Sequence, residues 1–338
     1  AVESYGGRVA FTTGQTFSST ALINGHLPRV SHDAQTFLGQ IKGTYDTEAI
    51  LGWLEKVAGL RVVLYGEHII DRYIYTEPRG KSAKEALVTF KEQRQEDFDG
   101  GGAIIMEHLQ ALGCQVTPRL TKHPIVKKRW LTEPFFAKLF STVETEWSNG
   151  IPLEQLRAAR QYPCAVAADF GHGAFLTFSR TELCKNAKFL AITVQSNSLN
   201  WGFNLLSGWE RADYAVADEL ELRMECQDRE GPLEKLLELE RKRLGARIMV
   251  VTLGHKGCIV MDSQGPITVP AFSYKVVDRL GAGDAFLAYT APLAYLGAPK
   301  EVIGFIGNIA GALHIQVIGN SKPVSLGDVR QWVRGLMA

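Results

Sequence analysis

An α/β fold with a mostly parallel central sheet, covered by helices on both faces, is the architecture that this sequence predicts, on three observations. Short apolar runs recur as buried parallel strands do: Leu60–Gly66, Ala165–Asp169, Phe189–Val194, Tyr214–Ala217 and Arg247–Thr252. From about residue 150 these alternate with helical segments at Leu153–Gln161, Gly231–Leu244, Gly283–Leu296 and Glu301–Gln316, the pattern of a sheet sandwiched between helix layers. The third is bulk: 338 residues, 46% hydrophobic and 22% charged, suffice for a sizeable core. In open sheets of this kind ligands bind at the carboxyl ends of the strands.

The elements follow in chain order. Arg8–Thr12 reads as a short strand and Thr16–Thr20 as a polar loop. Two helices are expected near Asp33–Ile41 and Thr47–Val57, the second because Ile50, Leu51, Leu54 and Val57 recur at helical spacing. Leu60–Gly66, closing on glycine, is the first core strand. Residues 85–98 and 123–133 alternate and are rich in Val, Thr, Phe, Lys and Arg, so they read as half-exposed antiparallel strands. Between them Gly100-Gly101-Gly102 leads into an apolar helix, Ala103–Leu112, ended by Gly113. Cys258–Met261 is a further strand, and Pro292 is expected to remove one hydrogen bond from its helix and kink it.

Bulk properties exclude several classes. A formal net charge of +1 gives no electrostatic footprint for nucleic acid. Five cysteines (Cys114, Cys164, Cys184, Cys226, Cys258) without C-x-x-C spacing argue against a disulfide framework or structural zinc and fit a reducing, cytoplasmic setting. No apolar run approaches the roughly 18–20 residues of a membrane span. The N-terminus lacks the basic start and apolar stretch of a signal peptide, and a chain beginning with Ala reads as a processed, truncated or engineered start.

Chemistry concentrates at Val276-Val277-Asp278-Arg279-Leu280-Gly281-Ala282-Gly283-Asp284-Ala285-Phe286. A strand ends, small residues follow and an Ala-rich helix begins. Backbone N–H groups left open at a helix N-terminus make an anion pocket, and a carboxylate in the first turn can take a proton from a hydroxyl. A plain strand-to-helix turn with an acidic start also needs Gly and Asp, so that reading stays open. Val250-Val251-Thr252-Leu253-Gly254-His255-Lys256-Gly257 is a strand end with a Gly-rich turn, and a β-hairpin suits it equally. Asp218 and Glu221 are carboxylates suited to a hard cation, or simply an acidic helix start. Lys127 and Arg129 alternate to one face of a strand, where two cations suit a phosphate or protect a sheet edge.

D-x-x-G-A-G-D-x-F resembles the second signature of the ribokinase-like (PfkB) carbohydrate kinases, usually D-T-x-G-A-G-D, with Arg279 where Thr is common. V-T-L-G-x-x-G at 250–257 resembles a family turn beside ATP, and it lies 30 residues before Asp284, counted from Gly254. Asp218–Glu221 resembles N-x-x-E with Asp for Asn; Gly66–Asp71 resembles G-D-x-x-x-D with Glu67 for the first Asp. Gly100–Gly113 resembles the first family signature, with Ile104 where the sugar-contacting Asn is usual. Asp71-Arg72-Tyr73, the basic strand Val126–Arg129 and Asp169-Phe170-Gly171-His172-Gly173 further resemble heptose-phosphate kinases of the lipopolysaccharide precursor route, which often carry Lys at the place of His172.

The resemblance implies a ribokinase-like three-layer α/β/α sandwich with a small β lid. It implies a kinase domain over 59–338 with lid strands from about 72–98 and 115–147. Residues 1–58 would be an N-terminal extension, the tail of a fused nucleotidyltransferase domain plus linker helices. It implies Asp284 as general base and Gly281, Ala282 and Gly283 as the anion hole. ATP would meet Thr252, Gly254, Gly257, Asn308 and Asn197; the substrate, Asp71, Gly100, Gly101, Lys127 and Arg129; Mg2+, Glu221 and Asp218. A monovalent cation such as K+ is a further candidate cofactor. The acceptor is a sugar or sugar phosphate, best a heptose 7-phosphate, and a homodimer through the lid is expected. The rivals are a non-catalytic binding or regulatory relative, for which Glu67, Ile104 and Asp218 speak, and a nucleoside kinase. A dinucleotide-binding oxidoreductase ranks far below, since no G-x-G-x-x-G follows the first strand.

Overall fold

The computed structural model describes residues 31–133, 136–144, 148, 150–273 and 275–338. The strand and loop expected at residues 8–20, and the nucleotidyltransferase tail expected before residue 25, lie outside them. Side-chain alternation across one long sheet organises the rest. Its strands are β1 (Arg61–Gly66), β4 (Gln115–Leu120), β7 (Cys164–Asp169), β8 (Leu190–Val194), β9 (Tyr214–Asp218), β10 (Ile248–Thr252), β11 (Cys258–Asp262) and β12 (Gly265–Val269). They lie in the order β12-β11-β10-β9-β8-β7-β1-β4. The pairs from β4 to β10 are parallel, while β11 and β12 are added antiparallel.

Because strand side chains alternate with period two, each strand feeds two cores. Val62, Leu64, Val166, Val216 and Val250 point to one face. There they meet α1 (His32–Thr44), α2 (Thr47–Glu55), α3 (Gly102–Ala111), α8 (Ala282–Leu296), α9 (Lys300–His314) and α10 (Leu326–Met337). Val63, Tyr65, Ala167, Ile192 and Val251 point to the other. There they meet α4 (Leu153–Arg157), α5 (Thr177–Asn186), α6 (Glu219–Cys226) and α7 (Leu233–Leu244). The expected three-layer α/β/α sandwich is therefore present. Among the described residues no helix is long and apolar enough to cross a membrane.

Three points differ from expectation. Phe37 of α1 stacks against Phe272 and Phe305, and Ile50, Leu51 and Leu54 of α2 are buried, so packing runs straight across the boundary drawn at residue 58. Residues 115–120, counted with the lid, form the parallel edge strand β4 of the main sheet. The lid is a second sheet of β2 (His68–Lys81), β3 (Val88–Gly101), β5 (Ile125–Thr132) and β6 (Ala137–Glu144) in the order β3-β2-β5-β6. Its β5 pairs antiparallel with β6 as expected but parallel with β2, because the chain returns through α3 and β4 before re-entering the lid. As expected, α8 runs through Pro292 to Leu296.

Candidate active site

The first turn of α8 is the centre of the site. Gly281 caps it at φ 77°, and a Cβ there would stand 2.3 Å from Asn320 Oδ1 and 2.5 Å from His314 Nε2, so only glycine fits. Gly283 faces open space, with nothing within 4 Å of a Cβ position. No side chain caps this helix, and its first turn closes with Ala285 N–H donating to Gly281 O at 3.0 Å. The amides of Ala282, Gly283 and Asp284 have no acceptor among the described residues, so they are available to an anion at the positive end of the helix. Helix α6 contrasts with this. Its end is closed by a capping box, Asp218 Oδ1 accepting from Glu221 N at 2.7 Å and Glu221 Oε2 from Asp218 N at 2.8 Å.

Asp284 is partly exposed in that first turn. Burial pushes its carboxyl up to about 7; the Asp71 charge adds to the shift and the Lys127 ammonium opposes it. A carboxylate titrating near neutrality suits a general base. Burial lowers the Lys127 ammonium, against the charges of Asp71, Glu67 and Asp284. Asp71 is buried and held by Arg129, with Nη2 at 2.7 Å and Nε at 3.0 Å from Oδ1. Its other oxygen lies 2.5 Å from where a Gly100 Cβ would be, so that glycine makes room for the carboxylate. Gly101 is in the left-handed region at φ 57°, against Glu67 O, and caps α3.

One cleft borders this turn, and a second lies between lid strands β5 and β6 and the loops after β7 and β8. The first, of about 270 Å³, is lined by Thr252, Gly254, Gly257, Ala282, Gly283 and Asn308, which brings together most of the residues expected at ATP. His255 and Arg279 line it too, unassigned by sequence; a side chain is needed to see them because their motif positions vary. The β10–β11 hairpin of the sequence reading is present, and its turn lines this cleft. Asn308 Nδ2 donates to Val269 O and Pro270 O, pinning the strand end that borders the cleft.

The second cleft, of about 190 Å³, is lined by Lys127, Arg129, Ser141, His172 and Gln195–Leu199. Asn197, expected with ATP, is a lining residue of this cleft and not of the first. Its loop folds back over 170–172, with Nδ2 donating to Phe170 O at 2.8 Å. His172 is buried and held neutral, its imidazole pushed down to about 4 by burial and by Lys127. Glu67 and Ile104 have structural roles instead of ligand-facing ones. Glu67 is fully buried and accepts from the amides of Phe170, His172 and Ala174 at 3.0–3.2 Å, fixing the loop under this cleft. Burial and Asp169 push it up to about 7. Ile104 is fully buried in α3.

The cation-binding expectation fits in a limited way. Burial, then Asp218, pushes Glu221 up to about 8, and both its oxygens already accept backbone amides, from Asp218 and Ser196. Among the described residues no group of three or more His, Cys, Asp or Glu could hold a metal. Glu221 thus spends both oxygens on backbone amides and Asp218 one, at the cap of α6.

Residues 178–325 match the pfkB family of carbohydrate kinases. The chain is 22% identical over 321 residues to the bifunctional protein HldE of Paramagnetospirillum magneticum, covering 84% of this chain and 65% of that protein. It is 36% identical over 74 residues to inositol 3-kinase of Arabidopsis thaliana, covering 22% of this chain and 21% of that one. The chain therefore spans about 65% of the HldE length. Among solved structures it is similar to ribokinase from Thermotoga maritima (TM-score 0.63, 17% identity, 81% of this chain and 99% of that one). It is also similar to phosphofructokinase-2 from Escherichia coli (TM-score 0.62, 14% identity, 83% and 100%).

Proposed function

From the premise that this chain carries a carbohydrate kinase domain of the pfkB family, a family of phosphotransferases with a hydroxyl acceptor, we propose that it transfers the γ-phosphoryl group of ATP to a hydroxyl of a sugar phosphate. The observation that carries this reading is Asp284: a carboxyl raised to about 7 at a helix N-terminus without a side-chain cap among the described residues, lowered in part by the Lys127 ammonium. In the reaction the acceptor hydroxyl attacks phosphorus as its proton passes to Asp284. A new P–O bond forms to the acceptor, the bond to the β-phosphate oxygen breaks, and ADP leaves. The amides of Ala282–Asp284 hold the negative charge that builds on the transferring oxygens. Asp218 and Glu221 are the carboxylates that would face a Mg2+ ion carried by ATP, which would supply neutralisation of phosphate charge.

The acceptor cleft favours a substrate that is already phosphorylated. Lys127 has no hydrogen-bond partner among the described side chains, and Arg129 borders the same 190 Å³ space. Two cations beside a small cleft match a phosphomonoester. With the resemblance at Asp71–Tyr73 and Asp169–Gly173, a heptose 7-phosphate is the best single candidate. K+ as a cofactor and a lid-mediated dimer are part of the same proposal.

ADP release with Mg·ATP, measured against sugars, sugar phosphates and nucleosides, tests the reading. Turnover on phosphorylated sugars, with D-glycero-D-manno-heptose 7-phosphate foremost, is expected. Turnover confined to nucleosides would replace it, and bound ATP with no turnover on any acceptor would make the chain a non-catalytic relative.

A further inference from the structure

We propose that Lys138, on the lid strand β6, is a positioning residue for this reaction: its ammonium neutralises the buried Asp278 carboxylate and so holds the Gly281–Asp284 turn in shape while the lid is docked. The inference rests on the kinase reading above.

The geometry is specific. Lys138 Nζ lies 2.6 Å from Asp278 Oδ1, joining residues 140 positions apart in the chain. The Asp278 side chain is 2% exposed and that of Lys138 36%, so a lid residue reaches from the surface into the core of the catalytic domain. The same Oδ1 accepts from the amide of Leu280 at 3.2 Å, the residue directly before Gly281. Oδ2 accepts from the Tyr73 hydroxyl of β2 and from Gly319 N at 3.0 Å. Asp278 therefore grips the catalytic turn with one oxygen and is itself held by two lid strands.

A third strand joins them. The amide of Asn320 donates to Asp99 O of β3 at 2.7 Å, and its Oδ1, paired with His314 at 2.9 Å, is what forbids a side chain at Gly281. Leu280 packs on Tyr73, Tyr75 and Leu131, the small core of the lid. With Leu131 of β5, all four lid strands thus touch either the stretch leading into the turn or the loop that backs it. Burial pushes the Asp278 carboxyl up, and the hydrogen bonds from Lys138 and Tyr73 outweigh that, leaving it below the ordinary value. Lys138 is the one cation paired with Asp278 among the described residues. Without it a buried carboxylate keeps only neutral donors, an arrangement proteins avoid. The carboxylate then relaxes toward solvent or a proton, and its hold on Leu280 weakens.

Such a residue acts through geometry and not through substrate contact, so its loss belongs in turnover. In the full chain, Lys138→Met is expected to speed hydrogen exchange in peptides spanning 278–286. It should lower kcat ~10–100-fold, the scale on which small misplacements of reacting groups act, with KM for ATP and for acceptor within ~3-fold. Ammonium or methylammonium chloride should restore part of the rate to the variant and none to the wild type. Lys128→Ala is the control, since Lys128 pairs with Glu144 on the same sheet and does not touch Asp278. Unchanged exchange at 278–286 would overturn the proposal. So would a loss confined to acceptor KM and indifferent to added amines, which would make Lys138 an ordinary lid contact. Faster exchange in a chain whose wild type phosphorylates no acceptor would count against the kinase reading and leave the hold of Lys138 on the turn standing.

Discussion

The two clefts are built from different materials. The larger is lined by glycines, alanines, Thr252 and Asn308, standing on the ends of the main-sheet strands and on the starts and faces of α8 and α9. It offers main-chain groups and little charge beyond Arg279 and His255. The smaller is lined by Lys127, Arg129, Ser141 and His172, side chains carried by the lid strands and by a loop pinned on Glu67. Main-chain recognition needs room, hence glycine, and it is indifferent to most substitutions elsewhere. Side-chain recognition can be retuned one residue at a time. Under the proposed function, the comparison predicts that the nucleotide side rests on main-chain groups and that the acceptor side, built from side chains, sets specificity.

The sharpest way to break that comparison is at the group common to both halves. Asp284→Asn removes the base without changing shape and should cut kcat by ~10²–10⁴-fold, the usual range for a positioned general base, with ATP affinity retained. In the wild type the base must be deprotonated to act. Because its carboxyl is raised to about 7, turnover should climb as pH rises through that value and level above it. The variant should lose this limb. Near-normal turnover, or a pH profile unchanged by the substitution, would remove Asp284 from the mechanism.

Next in size is the side proposed for the nucleotide. Gly281→Ala puts a Cβ 2.3 Å from Asn320 Oδ1 at a positive φ, so the turn must open to accept it. Misaligned amides should lower kcat by ~10²-fold, in the range seen when one oxyanion donor is lost, with a lower melting temperature as well. Full turnover would mean that the amides of Ala282–Asp284 do not hold the transferring group.

The acceptor side should respond differently. Lys127→Met is expected to raise KM for a phosphorylated acceptor ~10–100-fold, as for a lost charge-assisted contact of about 1.5–3 kcal/mol, and to leave KM for ATP near its original value. Lys127 also lowers the Asp284 carboxyl, so its removal should move the pH midpoint of turnover upward. An unchanged acceptor KM with an unchanged midpoint would place the acceptor phosphate elsewhere.

The same division governs what could be read in the sequence. The main sheet was legible because each buried strand is an apolar run and each covering helix a periodic one. The G-A-G-D turn was legible because its geometry tolerates few residues. The lid was read less well. Its strands β2 and β6 face solvent with one side, so Glu77, Pro78 and Arg79, or Lys138 and Ser141, carry no strong alternation, and β6 was not seen as a separate strand. That β4 lies in the main sheet depends on its parallel pairing with β1, a long-range choice with no local signal. Lys138 illustrates the limit. Its meaning comes from Asp278, 140 residues away, and nothing in Ala137–Glu144 announces it.

Arg279 offers the finest test, because it is a charged side chain in the larger cleft, at the motif position where Thr is common. It is exposed, lines the 270 Å³ cleft and pairs with no carboxylate among the described residues. A solvent-screened cation contributes ~0.2–1 kcal/mol to an ionic contact. Arg279→Thr should therefore change KM for ATP by no more than ~5-fold, and less at high salt, where the Debye length is short. If the change is that small and fades with salt, nucleotide recognition rests on main-chain groups and the contrast between the clefts holds. A salt-insensitive loss of ~100-fold would be a contact of about 2.7 kcal/mol, too large for a screened cation. Arg279 would then be a tuned side-chain contact, and the nucleotide cleft would have been reshaped in the same way as the acceptor cleft.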